Sequence, residues 1–147
     1  MPRLLALDLG DAWTGIAISD PTGTLAKPYT TVPARELTKA LTTILPEFQV
    51  ATIVVGYPKT MKGTVSEQTR IVEKLFALLQ KTFPTYQWVV WDERLSSKRA
   101  SAVQKEQGGK NFQEQRLKGH AIAAAFVLDS YITFLHAQQI NTQEPRD

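Results

Sequence analysis

The first third of the chain consists of short apolar runs separated by turn residues. Residues 3–9 read Arg-Leu-Leu-Ala-Leu-Asp-Leu, an apolar run broken by one acid and stopped by Gly10. Residues 15–19 (Gly-Ile-Ala-Ile-Ser) form a second run, and polar residues 11–14 between them read as a hairpin turn. A third, looser strand is predicted over 24–32, where Pro28 suits an edge position. The period then changes. Leu37, Ala40, Leu41, Ile44 and Leu45 recur at helical spacing, and the helix is expected to end near Pro46. Residues 51–56 (Ala-Thr-Ile-Val-Val-Gly) have the β-branched, continuously apolar character of a strand buried on both faces.

Thr64 and Glu67 have the form of a capping box, opening a helix whose apolar face is read as Ile71, Leu75, Leu78 and Leu79. Residues 86–91 form another buried-type strand, with Ser96 as the cap of a further helix. The glycine-containing, charged stretch 106–119 reads as a mobile, mainly basic connection, and a long helix is expected from there to about Ala137. The predicted order is therefore β-β-β-α-β-α-β-α-α. A meander followed by βαβ crossovers implies α/β architecture: a mixed five-stranded sheet with helices on both faces, the ribonuclease H-like fold. A single domain over residues 1–137 and a polar, fraying tail over 138–147 are expected.

Composition narrows the chemistry. With 147 residues and no Cys, disulfides, thiolate zinc sites and cysteine nucleophiles are excluded. Two His remain, so metal chemistry must lean on carboxylates. Lys and Arg total 17 against 14 Asp and Glu, a net +3 that permits a nucleic-acid partner without demanding one. No continuous apolar run approaches the ~18 residues of a membrane helix, and the N-terminus lacks the form of a signal peptide, so a cytoplasmic protein without a membrane partner is expected.

Three segments could carry function. Asp8 is a carboxylate in an apolar strand, costly to bury without a cation, donor or metal. It opens Asp-Leu-Gly-x4-Gly-x-Ala-x-Ser-Asp, whose glycines, Gly10 first, let the backbone turn and a phosphate approach. Taken alone, such an Asp more often bonds a hairpin turn. The loop from Gly56 to Thr64 carries Lys59 and Lys62 beside a helix N-terminus, a plausible phosphate site but equally an ordinary solvated loop. Next come Asp92, Glu93 and Arg94 at a strand end: only one of the two acids can share a face with Asp8, while Arg94 suits an ion pair or a bidentate phosphate contact.

Together these segments resemble the YqgF (RuvX) family, RuvC-like proteins regarded as nucleases of small-subunit ribosomal RNA precursors. The first motif matches at Asp8, Gly10, Gly15, Ala17, Ser19 and Asp20, and the second at Val55, Gly56, Pro58, Gly63 and Thr64. The third matches from Asp92 through Ser97, and the Ala-rich C-terminal helix spans residues 121–131. Where the family's last acid would stand, this chain has His120, which shares a helix face with Leu117 and Ala124 and should look toward the sheet. Related resolvases carry another acid on the strand after the first crossover, where this chain has Gly56, so Glu93 must reach across from the neighbouring strand.

The resemblance implies a metal-dependent nuclease processing the 5′ end of the 16S rRNA precursor. Asp8, Glu93 and His120 would hold Mg²⁺ or Mn²⁺, with His120 a third ligand or proton carrier. Gly10, Lys59, Lys62, Arg94 and Lys118 would contact phosphates, and the protein would be a monomer or weak homodimer. Two alternatives stand beside it: a Holliday junction resolvase using the same chemistry on DNA, and an RNA- or ribosome-binding module whose site has decayed at His120. A sugar-kinase-like ATPase is discounted, because 147 residues leave no room for a second domain to close over a nucleotide.

Overall fold

The computed structural model describes residues 2–10, 12–57, 67–92 and 112–143. Five strands are formed by Arg3–Leu9 (β1), Trp13–Ser19 (β2), Ala26–Pro33 (β3), Val50–Tyr57 (β4) and Gln87–Asp92 (β5). A 3₁₀ turn at Ala34–Glu36 leads into helix α1, Leu37–Glu47; α2 spans Glu67–Thr82 and α3 spans Phe112–Gln143. The sheet order is β3-β2-β1-β4-β5. β1 pairs antiparallel with β2 and parallel with β4, so the sheet changes sense at its central strand. This is the expected ribonuclease H-like topology, with α1 and α2 on one face and α3 on the other.

The two faces of the sheet differ in the size of their side chains. Toward α1 and α2 point Leu5, Leu7, Leu9, Ile16, Ile18, Ile53 and Val55, which meet Leu37, Leu41, Leu45, Val72 and Leu79 in one buried cluster. Toward α3 point Ala6, Ala17 and Val54, meeting Ala124, Val127, Leu128, Tyr131 and Ile132. Small residues let α3 lie deep. A Cβ built on Gly15 would fall 1.9 Å from the carbonyl oxygen of His120, so strand and helix backbones are in direct contact there. At Gly56 the nearest atom would be Cγ2 of Val127, 3.1 Å away. Within α3, Gly119–Ile140 has a mean hydropathy of 1.3 and the length to cross a membrane. In this fold its inward apolar residues cover the sheet.

Several boundaries differ from the sequence reading. β2 begins at Trp13 rather than Gly15, because Thr14 pairs with Leu9 and Trp13 with Pro33. β3 begins at Ala26 rather than 24, because the N–H groups of Thr24 and Leu25 bond the Asp20 carboxylate instead of a strand. The buried stripe of α2 is Val72, Leu75, Phe76 and Leu79, while Ile71 and Leu78 are exposed. Both sets fit a helical period, and only packing chooses between them. Residues 112–119, read as mobile connection, belong to α3, and the helix continues through 138–143, read as tail. Gln, Glu, Arg, Leu and Lys favour helix in the first stretch and three Gln in the second, and the first proline after them is Pro145. The Thr64 capping box, the Ser96 cap and residues 106–111 lie outside the described residues.

The contact at Gly15 generates a stability prediction. Gly15→Ala forces α3 off the sheet and should cost about 1–3 kcal/mol or more, the scale of overpacking. Gly56→Ala meets only a movable methyl and should cost clearly less. Urea unfolding of both variants checks the order; equal losses would mean that α3 does not press on β2.

Candidate active site

Asp8 lies near the carboxyl end of the central strand. Its cross-strand partners are Gly15 on β2 and Gly56 on β4, so no side chain flanks it on either side at that level of the sheet. Strand alternation puts Asp8 on the face of Ala6, under α3, and the side chain is 14% exposed. Among the described residues no hydrogen-bond donor reaches its carboxylate. The ring of His120 faces it, with Nδ1 3.9 Å from Oδ2. That is too long for a hydrogen bond, which leaves the oxygens and the ring nitrogen available to a third body between them.

His120 reaches Asp8 because of Gly15. The helix backbone at residue 120 rests on the strand at residue 15, and residue 15 is paired with Asp8. The ring is 35% exposed, so it stands at the rim of the site rather than in the core. The expected orientation of His120 toward the sheet is observed.

A partly desolvated carboxylate without a bonded donor is an unfavourable arrangement unless a cation satisfies it. The donor set, one carboxylate oxygen pair facing one imidazole nitrogen, fits a divalent ion in part. Among the described residues no group of three His, Asp or Glu comes together, so a full coordination set needs a further ligand. Asp92 is not placed to supply it. It pairs with Tyr57 and alternates with Trp91, which packs on the α3 face, so it stands on the opposite side of the sheet from Asp8. Glu93, Arg94, Lys59 and Lys62 lie outside the described residues; Lys118 lies within α3, and its side chain is likewise outside them.

The first motif splits into unrelated jobs. Gly10 serves the hairpin: a Cβ there would fall 2.5 Å from the carbonyl oxygen of Trp13. Ser19 and Asp20 belong to the other end of β2, ~17 Å from the level of Asp8 at ~3.4 Å per residue. Ser19 Oγ accepts the N–H of Leu4 at 2.9 Å and donates to the carbonyl of Asp20 at 3.1 Å. The Asp20 carboxylate accepts the N–H groups of Thr24 (2.8 Å) and Leu25 (2.9 Å) and the Thr22 hydroxyl. These bonds, led by that from Leu25, hold its pKa down at about 2. Asp20 therefore builds a turn. What the sequence reading missed is the packing role of Gly15 and the open flank at Gly56; two glycines at one level of a sheet are the signal that could have shown it.

Comparison with known proteins adds to this geometry. The family model RuvX, described as Holliday junction resolvase, matches residues 2–133. A Rubrobacter xylanophilus protein named "Putative pre-16S rRNA nuclease" is 40% identical over 130 residues, covering 88% of this chain and 91% of the relative. A protein of the same name from Lachnospira eligens is 34% identical over 138 residues, covering 88% and 96%. Among solved structures, T. thermophilus RuvC in complex with Holliday junction substrate aligns over 86% of this chain and 94% of its own, with 10% identity and a TM-score of 0.47. So distant a likeness carries nothing about substrate.

The bonds at Asp20 fix a prediction with a definite sign. Its folded pKa lies below the unfolded value, so its contribution to stability is complete above pH ~4 and fades as pH falls from ~4 toward 2. Asp20→Ala should lower stability in urea near neutral pH, and the gap to the wild type should narrow across that acid window. Cleavage by the variant should be unchanged, because Asp20 is at the far end of the strand from Asp8. A constant gap down to pH 2 would show that the carboxylate's charge contributes nothing.

Proposed function

Because the chain belongs to the RuvX family, we propose that it is a divalent-metal-dependent nuclease acting on the small-subunit ribosomal RNA precursor, the substrate in its relatives' names. The observation that carries the reading is Asp8: a carboxylate on the central strand that no described donor reaches, flanked by two glycines and facing His120 at 3.9 Å. Glu93 is the second carboxylate of this reading. It follows Asp92, whose side of the sheet is turned away from Asp8, and it is the remaining acid of that pair. His120 completes the set from α3.

A divalent ion held by Asp8, Glu93 and His120 would supply Lewis acidity, making a water nucleophilic near neutral pH and offsetting charge on the phosphate. The chain's own contribution is to fix these donors on rigid elements. Asp8 is held by ladders on both sides, and His120 by a helix pressed on the sheet. An imidazole among the donors moves metal preference from Mg²⁺ toward Mn²⁺, which tolerates nitrogen better. Lys59, Lys62, Arg94 and Lys118, with the Gly10 backbone, bind phosphates and set the register of the strand without reading its sequence. The site of action is the cytoplasm, and the domain ends within α3.

The family's description favours a second substrate, a DNA four-way junction. Two-fold symmetric resolution requires a dimer, so a strict monomer in solution argues against it. Cleavage of RNA and junction substrates side by side, with Mg²⁺ and with Mn²⁺, distinguishes the two.

Asp8→Asn should reduce cleavage by more than ~100-fold, beyond the cost of losing an outer-shell partner of a metal site. The fold should persist, and without metal the melting temperature should be equal or higher, because an uncompensated carboxylate is gone. Wild-type cleavage by this variant would make Asp8 structural and overturn the reading.

His120→Asp tests the ligand role. If the site works as proposed, the hard oxygen should raise Mg²⁺-supported cleavage roughly tenfold and shrink the preference for Mn²⁺. If His120 only packs, melts should fall by about 1–3 kcal/mol with or without metal, and cleavage should not rise.

A further inference from the structure

Near Asp8, at the same end of the sheet, lies a pocket of about 310 Å³ lined by Ala12, Trp13, Pro33, Ala34 and Arg35. Its two walls are tied together. Trp13 pairs with Pro33 in the ladder, and the N–H of Ala34 bonds the carbonyl of Ala12 at 2.9 Å. Trp13 is nonetheless 39% exposed, an unusual position for the largest apolar side chain in the alphabet. Of the five lining residues one is a cation and none is an acid.

The position relative to Asp8 follows from the register. Asp8 stands opposite Gly15, and Trp13 is two residues along the same strand, on the same face. A diagonal pair of that kind is separated by ~7–8 Å between Cα atoms, and Gly15 between them carries the α3 backbone at His120. An indole beside a guanidinium is the combination that holds single-stranded nucleic acid: the ring stacks on a base, and the cation takes the adjoining phosphate.

We infer that Trp13 and Arg35 form a subsite for one unpaired base and its flanking phosphate, next to the phosphate presented to Asp8. The inference rests on the proposed nuclease reading and deepens it: the substrate is single-stranded where it enters the site, and the strand runs from Asp8 toward the β2–β3 edge. Stacking tolerates any base, so the subsite positions the chain without selecting its sequence.

The test uses the full chain in EDTA, so that no turnover occurs, and labelled uridine decamers read by fluorescence anisotropy. A series of decamers carries a single abasic site at successive positions. Wild type should show one position at which the missing base weakens binding about 5- to 100-fold, the range of one base–aromatic stack. Trp13→Ala should bind the intact decamer more weakly by a similar factor and show a flat series, and Trp13→Phe should restore the dependence on position. Arg35→Gln should lower the magnitude of the log–log salt slope by ~0.7, the value for one lost phosphate contact on a single strand. The same abasic profile in Trp13→Ala as in wild type would overturn the subsite while leaving the nuclease reading intact, provided wild type still cleaves with Mn²⁺. A wild type that neither binds the decamers nor cleaves with metal would overturn both. If Trp13→Ala changes only the sedimentation coefficient, the pocket is a contact between copies of the chain, and the inference fails.

Discussion

The site depends on a backbone-to-backbone contact. At Gly15 the strand β2 meets the carbonyl of His120 so closely that a methyl group would sit 1.9 Å from it. This contact sets the depth of α3 over the sheet. It also sets the lateral relation between His120 and Asp8, because residue 15 is the ladder partner of Asp8. A larger residue at 15 would raise the helix and withdraw the imidazole from the carboxylate. Stability and site geometry are here the same contact viewed from two sides.

The unequal faces of the sheet explain how a carboxylate is tolerated at its centre. Leu, Ile and Val crowd the face toward α1 and α2, and they supply the larger of the two buried clusters. On the opposite face the residues next to α3 at the centre of β1 and β2 are Ala6, Ala17 and Gly15, so little side-chain volume surrounds Asp8 there. Asp8 emerges there, beside Gly15 and Gly56. The pairing changes from antiparallel to parallel at β1, where Asp8 lies near the carboxyl end of the strand. In open α/β sheets such a point at the carboxyl ends of strands is where ligands bind.

Much of this was legible in the sequence, and the parts that were not share a cause. The order of strands and helices along the chain, the α1 stripe and the side of the helix bearing His120 all follow from periodicity, which local sequence encodes directly. The ends of elements do not. β3 starts late because a side chain, Asp20, captures the amides of Thr24 and Leu25, and no periodic signal announces that bond. α2 carries two candidate stripes of equal helical spacing that share Leu75 and Leu79, and only packing in the buried cluster selects Val72 and Phe76 over Ile71 and Leu78. α3 starts at Phe112 although Gly119 breaks its pattern, because the residues from Gln113 to Lys118 favour helix. In the site, Asp8 was legible as a lone acid in an apolar run. The role of Gly15 was not, because a glycine beside a turn looks the same whether it serves the turn or admits a helix.

The motif that begins at Asp8 and closes at Asp20 also shows how a conserved-looking string can mix unlike constraints. Its last two residues close a turn and tie β1 to β2, at the end of the sheet remote from the carboxylate. Its middle glycine seats α3. Only its first residue faces His120. Position 120 is governed in turn by that middle glycine, since its backbone is held at Gly15 whatever its side chain. A residue there cannot retreat from Asp8 by moving the helix, so its chemistry is delivered to the site directly. Under the proposed reading, exchange of an acid for an imidazole at 120 would therefore alter the donor set while leaving the scaffold in place, and metal preference would be the property on which such an exchange acts first.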